Sequence, residues 1–279
     1  MSVNSQPKTP ATNTLSDWLK YGIDMLTKID APSPRLDSEV LLGHLVGVSR
    51  TYLHAHPEHE LDTRQVEIYR SMLTLRQERV PVAYITGHKQ FYGRSFLVNP
   101  NTLIPRPESE TIIDILKTLP RFKTLIDVGC GSGCLGISAQ CELPNIELTL
   151  ADISTSALVI TKKNTVKHAA TAHIVRSDLL ADIGPGSFDV IVANLPYVDK
   201  TWHTSVELKH EPRLALYAEN RGLALISRLL EQVPHRLNKG GHLLLESDPV
   251  QHAAIISQAQ KYGLTHVQTV EYITLFSQS

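Results

Sequence analysis

The sequence predicts an α/β fold: a doubly wound, mostly parallel sheet, preceded by a small all-helical domain and a β-hairpin. Three observations carry this. From Leu15 to about Arg79, apolar residues recur at helical spacing and strand-like alternation is scarce. Short β-prone runs punctuated by Gly87, Gly93, Pro100 and Pro105 follow. From Glu108 onward, strand-like and helix-like segments alternate, as right-handed crossovers in a parallel sheet require.

The elements follow in order. Residues 1–13, rich in Ser, Thr, Pro and Asn, read as a disordered tail. Residues 14–85 read as the helical domain. Trp18, Tyr21, Ile23, Met25 and Leu26 make its first stripe. Leu36, Val40, Leu41 and Leu45 make a second, behind Ser33 as N-cap and Pro34 as first helical residue. Val66, Tyr69, Met72, Leu73 and Leu75 make a third. Residues 86–105 read as a hairpin linker built on Gln90-Phe91-Tyr92 and Ser95-Phe96-Leu97-Val98. Within 106–279, helices are expected at 108–118, 132–141, 154–167, 221–234 and 250–262. Strands are expected at 124–128, 146–151, 172–176, 187–193, 241–247 and 266–276, the last as an antiparallel edge strand or hairpin.

Composition narrows the function. A chain of 279 residues, 42% hydrophobic and 20% charged, buries a sizeable core and is neither a disordered tail nor a fibre. Lys plus Arg number 27 and Asp plus Glu 28, so no basic field announces nucleic-acid binding. Cys130, Cys134 and Cys141 are too few for a disulfide framework and fit a reducing setting. No apolar run approaches the roughly 20 residues of a membrane span. The opening Met1 to Lys8 lacks the apolar core of a secretory signal. A cytoplasmic protein, away from membranes, is expected.

Thr124 to Val128 reads as a buried strand, and Gly129-Cys130-Gly131-Ser132-Gly133 follows before a helix opens at Leu135-Gly136-Ile137. Such a turn lets a ligand touch backbone beside the free N–H groups of a helix start. Gly131, Gly133 and Gly136 also match the dinucleotide fingerprint, with Asp152 about 20 residues on. Asp127 argues against that reading, because a pyrophosphate would meet its carboxylate. S-adenosylmethionine, with a sulfonium and an ammonium against one carboxylate, has the opposite sign. One such charge pair is worth about 3 kcal/mol before desolvation, at roughly 5 Å and an effective dielectric of about 20. A glycine turn that binds nothing is the plain alternative. Asp152 ends the next strand, where it accepts both ribose hydroxyls of an adenosine or caps the helix near Ser154. Asp178 ends the third strand, placed to accept from an adenine amino group, with Leu179 to cover the ring; an ordinary loop acid is the alternative.

Phe188 to Ala193 reads as a buried strand, and Asn194-Leu195-Pro196-Tyr197 follows at its carboxyl end. This resembles the N-P-P-Y signature of methyltransferases that modify a planar nitrogen, adenine amino or glutamine amide. An amide nitrogen is a poor nucleophile. The side-chain oxygen of Asn194 and the carbonyl of Leu195 each accept one N–H of the NH₂, which orients it and stabilises growing charge. Pro196 has no competing N–H, and Tyr197 offers a flat face. Leu195 departs from the signature, but a backbone carbonyl is available from any residue. A plain strand-to-loop turn with a structural Asn is the alternative.

Residues from about 15 to 262 resemble the HemK family, the glutamine methyltransferases of peptide chain release factors. Pro81 to Gly87 with Gln90-Phe91-Tyr92 resembles the family's linker. Leu103 to Glu110 resembles its L-I-P-R-P-[DE]-T-E signature, with Ser109 for Thr. His210 to Leu216 resembles its loop F-E-P-x-x-A-L. The resemblance implies a helical domain that grips class-1 release factors. It implies a class I, Rossmann-like methyltransferase domain of seven strands with the last antiparallel. It implies methylation of the amide nitrogen (N5) of the glutamine in a Gly-Gly-Gln loop; in-line attack of that nitrogen on the sulfonium methyl is expected to need positioning and desolvation rather than a strong general base. Position by position, Gly129, Cys130, Gly131, Ser132 and Gly133 match the cofactor loop, Asp152 the ribose acid, and Asp178 and Leu179 the adenine contacts, and Asp127 is placed beside the cofactor by its charge. Asn194, Leu195, Pro196 and Tyr197 match the substrate amide site, Asn194 also bordering the cofactor. The chain departs from the family at Leu179 (often Trp), at Asp248 (usually Gly), and in Val267 to Ser279, where the closing D-x-x-G-x-x-R is not evident.

Other readings are weighed beside this one. An adenine-specific DNA or RNA methyltransferase needs base flipping and phosphate contacts, which the balanced charge does not favour. A cofactor-binding but catalytically impaired homologue is motivated by Leu195, Leu179 and the altered tail. An NAD-linked oxidoreductase lacks a catalytic constellation. His54, His56 and His59 suggest a metal tract, but Pro57 breaks helical pairing, and a solvated loop is expected with no metal. Cys130 and Cys134 read as small core residues rather than a redox pair. Arg106 reads as a cofactor contact, a linker brace or a structural salt bridge, and Phe91 and Tyr92 as linker packing. A monomer is expected.

Overall fold

The structure is a computed structural model of the chain and describes residues 8–278. The expected tail therefore lies outside the described residues over 1–7. At its described end, Asn13 is held: its Oδ1 accepts from Trp18 Nε1 at 3.3 Å, and its carbonyl accepts from Leu61 N at 2.8 Å. The chain divides into two compact units. One runs to Gly87 and also takes in Ser205–His210; the other comprises His88–Thr204 and Glu211 onward.

The first unit holds α1 (Leu15–Thr27), α2 (Pro34–Val46), α3 (Arg50–Ala55), α4 (Thr63–Gln77) and α5 (Val82–Thr86). Its starts are written locally. Thr14 and Ser49 accept from backbone N–H groups of the first turn, and Asp62 forms a reciprocal capping box with Gln65. Ser33 stands at the N-cap of α2 without a side-chain bond, and Pro34 supplies the start instead. Trp18, Leu26, Leu41, Leu42, Tyr69 and Leu73 fill the core.

The second stripe differs from expectation. Leu36 is exposed, while Ser38 and Glu39 are buried with Leu41 and Leu42. Glu39 turns the helix inward because it is a hub: it bonds Arg35 at 2.9 Å, Arg50 at 2.5 Å and His54 at 3.0 Å. Residues 205–210 belong to this unit for a similar reason. Buried Arg76 reaches Asp37 at 2.8 Å and Glu207 at 3.2 Å. Against the opposing effect of burial, bonds from Ser205, its own backbone N–H and Arg76 hold the Glu207 carboxyl down to about 2.

The second unit opens with the hairpin β1 (His88–Phe91) and β2 (Arg94–Leu97), turned by Tyr92 and Gly93 at φ 47° and 70°. A single 3₁₀ turn, Pro107–Ser109, leads into α6 (Glu110–Thr118). Then come β3 (Thr124–Val128), α7 (Cys134–Glu142), β4 (Glu147–Asp152), α8 (Thr155–Lys167), β5 (Ala172–Arg176) and β6 (Phe188–Ala193). After them come α9 (Arg213–Leu216), α10 (Ala224–Gln232), β7 (Leu237–Glu246), α11 (His252–Lys261), β8 (Leu264–Val270) and β9 (Ile273–Gln278). The sheet order is β5-β4-β3-β6-β7-β9-β8, and β9 runs opposite to the other six strands.

Two apolar layers confirm the double winding. Leu125, Leu148, Val190, Val192 and Leu244 face one way, with residues of α6 and α7. Ile126, Val128, Ile191, Leu243 and Leu245 face the other, with residues of α10 and α11. Among the described residues no helix is long and apolar enough to cross a membrane.

Three boundaries shift for physical reasons. α7 starts at Cys134 because Gly133, at φ 78°, still belongs to the turn. The helix expected from 221 starts at Ala224, because Asn220, Arg221 and Gly222 all take positive φ. A Cβ on Gly222 would fall 1.9 Å from the Tyr197 carbonyl, so only glycine lets this loop pass under that residue. The terminal stretch, expected at 266–276 as an edge strand or hairpin, is a hairpin that runs from Leu264 to Gln278 and turns at Glu271 with φ 51°.

Candidate active site

β3, β4, β5 and β6 are mutually parallel, so the loops at their carboxyl ends meet on one edge of the sheet. A cavity of about 280 Å³ opens there. Its wall includes Asp127, Gly129, Cys130, Gly131, Ser132, Asp152, Asp178, Leu179, Asn194, Leu195 and Pro196, all anticipated from sequence. Gly133 and Tyr197 stand outside the wall. Cys134, Ser109, Arg106, Pro212, Leu214 and Arg228 join it.

The glycine turn is built by close approach. Gly129, Gly131 and Gly133 take φ of 74°, 56° and 78°. Gly136 serves a different need: a Cβ there would stand 2.5 Å from Leu150 and 3.1 Å from the Asp127 carboxyl. Its absence lets Gly136 N donate to Asp127 Oδ2 at 2.9 Å. Asp127 is 2% exposed. Burial pushes its carboxyl up to about 7, with the Gly136 N–H opposing and the nearby Asp152 charge adding to the rise.

Asp152 braces two loops. Its Oδ2 accepts from Gly131 N and its Oδ1 from Ser154 N, each at 2.8 Å. The cap of α8 is Ser154, whose hydroxyl accepts from Ala157 N at 3.2 Å. Each Asp152 oxygen keeps a further acceptor site. Burial raises this carboxyl, against its backbone donors. Asp178 pairs with Arg228 at 2.6 Å. Leu179, at φ 55°, is buried with its side chain in the wall, a conformation that costs leucine about 1–2 kcal/mol.

Asn194 begins the loop after β6, beside the turn after β3: Val128 pairs with Ala193 in register. Asn194 Nδ2 donates to Ser109 Oγ at 3.0 Å. Ser109 Oγ donates to Glu246 Oε2 at 2.5 Å, and Tyr197 Oη donates to Glu246 Oε1 at 3.2 Å. Burial raises Glu246, and the Ser109, Tyr197 and Asn194 bonds pull it back. Burial and the Glu246 charge raise the Tyr197 phenol well above its usual value.

Several expectations resolve into structural roles. Arg106 pairs with Glu211 at 2.6 Å, and Glu211 also accepts from Ile104 N at 2.9 Å. Cys130 and Cys134 are free thiols raised by burial, Cys134 up to about 12. Phe91 packs edge-on to Phe96, and Tyr92 Oη donates to Asp114 at 2.7 Å. His54 bonds Glu39 and His59 bonds Tyr52, so the tract does not converge. Among the described residues no group of three or more His, Cys, Asp or Glu is arranged to hold a metal.

Sequence reasoning missed Glu246, and gave Ser109 no role. Their signals were a carboxylate at the end of the strand beside β6, and a hydroxyl in the Pro-Arg-Pro-Glu-Ser stretch. It also missed buried Asn164, which donates to the carbonyls of Leu97 and Ser132, each at 2.9 Å, and so ties the hairpin to the glycine turn.

Sheet order, glycine turn and Asn-Leu-Pro-Tyr element together define a class I methyltransferase. Residues 17–87 match the family model of the PrmC N-terminal domain, and residues 107–211 match that of the methyltransferase small domain. A release factor glutamine methyltransferase of Koribacter versatilis is 39% identical over 249 residues, covering 85% of this chain and 89% of that protein. One from Salmonella typhimurium is 34% identical over 259 residues, covering 90% and 92%. The chain belongs to the release factor glutamine methyltransferase family. A solved Pyrococcus furiosus methyltransferase shares the fold, with TM-score 0.55 and 20% identity over 74% of this chain and 99% of that one.

Proposed function

We propose that this protein uses S-adenosylmethionine to methylate the side-chain amide nitrogen of the glutamine in the Gly-Gly-Gln loop of release factors. One adjacency carries the reading. Asn194 and Leu195 stand at the carboxyl end of β6, against the glycine turn at the carboxyl end of β3, in the wall of one cavity.

The residues fit the methyl donor. Asp127 is a buried carboxylate whose neighbours are an N–H and another carboxylate, a site that favours a cation over a pyrophosphate. Asp152 has acceptor sites for ribose hydroxyls, and Leu179 presents an apolar surface for a base. Asp178 would accept from an adenine amino group on the oxygen that Arg228 leaves. When bound, S-adenosylmethionine supplies a methyl group activated by its sulfonium.

The chain's own residues position the acceptor. Asn194 Oδ1 and the Leu195 carbonyl each accept one N–H of the glutamine NH₂, which holds the nitrogen's face toward the donor side and stabilises positive charge on it. Pro196 brings no competing N–H. Tyr197 supports the loop from behind through Glu246. No strong base is required, because the alkylated amide nitrogen is acidic and gives up its proton readily. The first unit would hold the release factor, and the protein would act as a cytoplasmic monomer.

Mass spectrometry tests this. A release factor incubated with the protein and the methyl donor should gain one methyl group on the Gly-Gly-Gln glutamine. Label entering DNA or RNA instead, or donor binding by calorimetry with no transfer to any of the three, would overturn it.

A further inference from the structure

Glu246 is 1% exposed and lies outside the cavity wall, so it cannot touch a ligand there. Yet three polar groups of the site converge on it. Ser109 Oγ donates to one of its oxygens and Tyr197 Oη to the other, while the Asn194 amide stands near enough to favour its ionised form. A carboxylate only accepts hydrogen bonds. That fact fixes a direction. The single hydroxyl proton of Ser109 goes to Glu246, which leaves Ser109 Oγ an acceptor. The group of Asn194 that can meet an acceptor is its Nδ2, and it does so at 3.0 Å. With Nδ2 turned toward Ser109, the acceptor left to the cavity is Oδ1.

We infer that Glu246 and Ser109 are positioning residues that set which face of the Asn194 amide meets the substrate. This rests on the proposed glutamine methylation. An amide rotated half a turn would offer Nδ2 to a substrate NH₂, donor against donor, and hold it badly. The two orientations of a carboxamide are nearly equal in shape, so packing alone discriminates weakly between them; hydrogen bonding has to choose. Replacing the carboxylate by a carboxamide removes the choice. In Glu246→Gln the new NH₂ is able to donate to Ser109 Oγ, which frees the Ser109 proton to bond Asn194 Oδ1 and draw it away from the cavity.

Four variants and four readouts test this. Ser109→Ala and Glu246→Gln should each lower kcat about 10- to 100-fold, the loss expected when a reacting group is misplaced rather than removed. S-adenosylmethionine affinity by calorimetry should stay within about threefold, because charged donor contacts lie elsewhere. Ser109→Thr keeps the hydroxyl and should restore most of the lost turnover. The side-chain NH₂ resonances of Asn194, assigned by their loss in Asn194→Ala, should shift in Ser109→Ala and Glu246→Gln but remain close to the parent position in Ser109→Thr. Equal loss of thermal stability, donor affinity and turnover in Ser109→Ala would show a merely structural role and overturn the inference. So would a Ser109→Ala enzyme whose amide resonances and kcat are unchanged. If the parent enzyme methylates no release factor, the proposed function fails, and the Asn194 resonances still decide the positioning claim.

Discussion

The side chain of Leu195 covers Gly129: a Cβ built on that glycine would stand 2.9 Å from Leu195 Cδ2. The two motifs read separately from sequence are thus in contact, one closing over the other. Gly129→Ala meets both this contact and φ 74°, a conformation that costs alanine about 1–2 kcal/mol. We expect a lower denaturation midpoint and weaker methylation. Leu195→Ala in the same chain should return part of the stability, giving a coupling of at least about 0.5 kcal/mol in a double-mutant cycle. Strict additivity would mean that the two motifs do not press on each other.

Asp127 makes stability depend on pH. Its carboxyl ionises near 3.8 in an unfolded chain and near 7 in the folded one, because burial disfavours its charge. Between those values the folded state binds the extra proton. Stability is therefore full below pH ~4, falls as pH rises toward ~7, and stays lowered above it, by up to about 4 kcal/mol. The charged group that bears on Asp127 is the acid Asp152, which adds to the effect of burial, and the neighbouring thiols Cys130 and Cys134 are held neutral. Urea midpoints of the donor-free protein should drop from pH 5 to pH 8, and Asp127→Asn should flatten the profile. A cationic donor favours the ionised form, so its affinity should rise over the same range in the parent and not in Asp127→Asn.

What was legible in sequence was local. β3 and β5 fall on the expected residues: β3 is an apolar run stopped by Gly129, and β5 a short β-branched run stopped by Ser177-Asp178. The glycine turn, Asp152 and Asn194 were legible for the same reason: each sits at a strand end, and parallel strands gather those ends. What was hidden depends on partners far along the chain. Ser109 meets Glu246 across 137 positions, and Arg106 meets Glu211 across 105. The inward turn of α2 needs Glu39 and its three partners, and the late start of α10 needs the Tyr197 carbonyl beneath Gly222. The partners of Ser109, Arg106 and Gly222 lie beyond any local pattern, whereas those of Glu39 lie within 15 residues and were masked by the apolar residues beside them.

Asp152 and Asn194 should separate binding from turnover. Asp152→Ala removes acceptors from Gly131 N and Ser154 N and from the proposed ribose. Methyl-donor affinity should weaken by about 1–3 kcal/mol, as for lost bonds to a charged group. Unchanged affinity in calorimetry would remove Asp152 from the ribose role. Asn194→Ala should instead leave that affinity within a few fold and abolish methylation, since it deletes an acceptor that only the substrate meets. Normal methylation by Asn194→Ala would end the amide-site assignment.

Glu211 joins two walls of the cavity. Its carboxylate takes Arg106 on one oxygen and Ile104 N on the other, so it pins the segment before α6 to the loop that opens α9. Pro105 and Arg106 line the cavity from one side of this staple, Pro212 and Leu214 from the other. The Glu211 side chain is 3% exposed and that of Arg106 30%. Removing the carboxylate leaves Ile104 N unpaired inside, while Arg106 is able to swing toward water. Glu211→Ala should therefore cost about 1–3 kcal/mol of stability in urea denaturation. Arg106→Ala leaves a buried carboxylate without its counter-charge and should cost at least as much. The double variant removes both charges and should cost less than the sum of the singles. Additive losses would mean that the two residues act independently, and that the walls are held by something other than this pair.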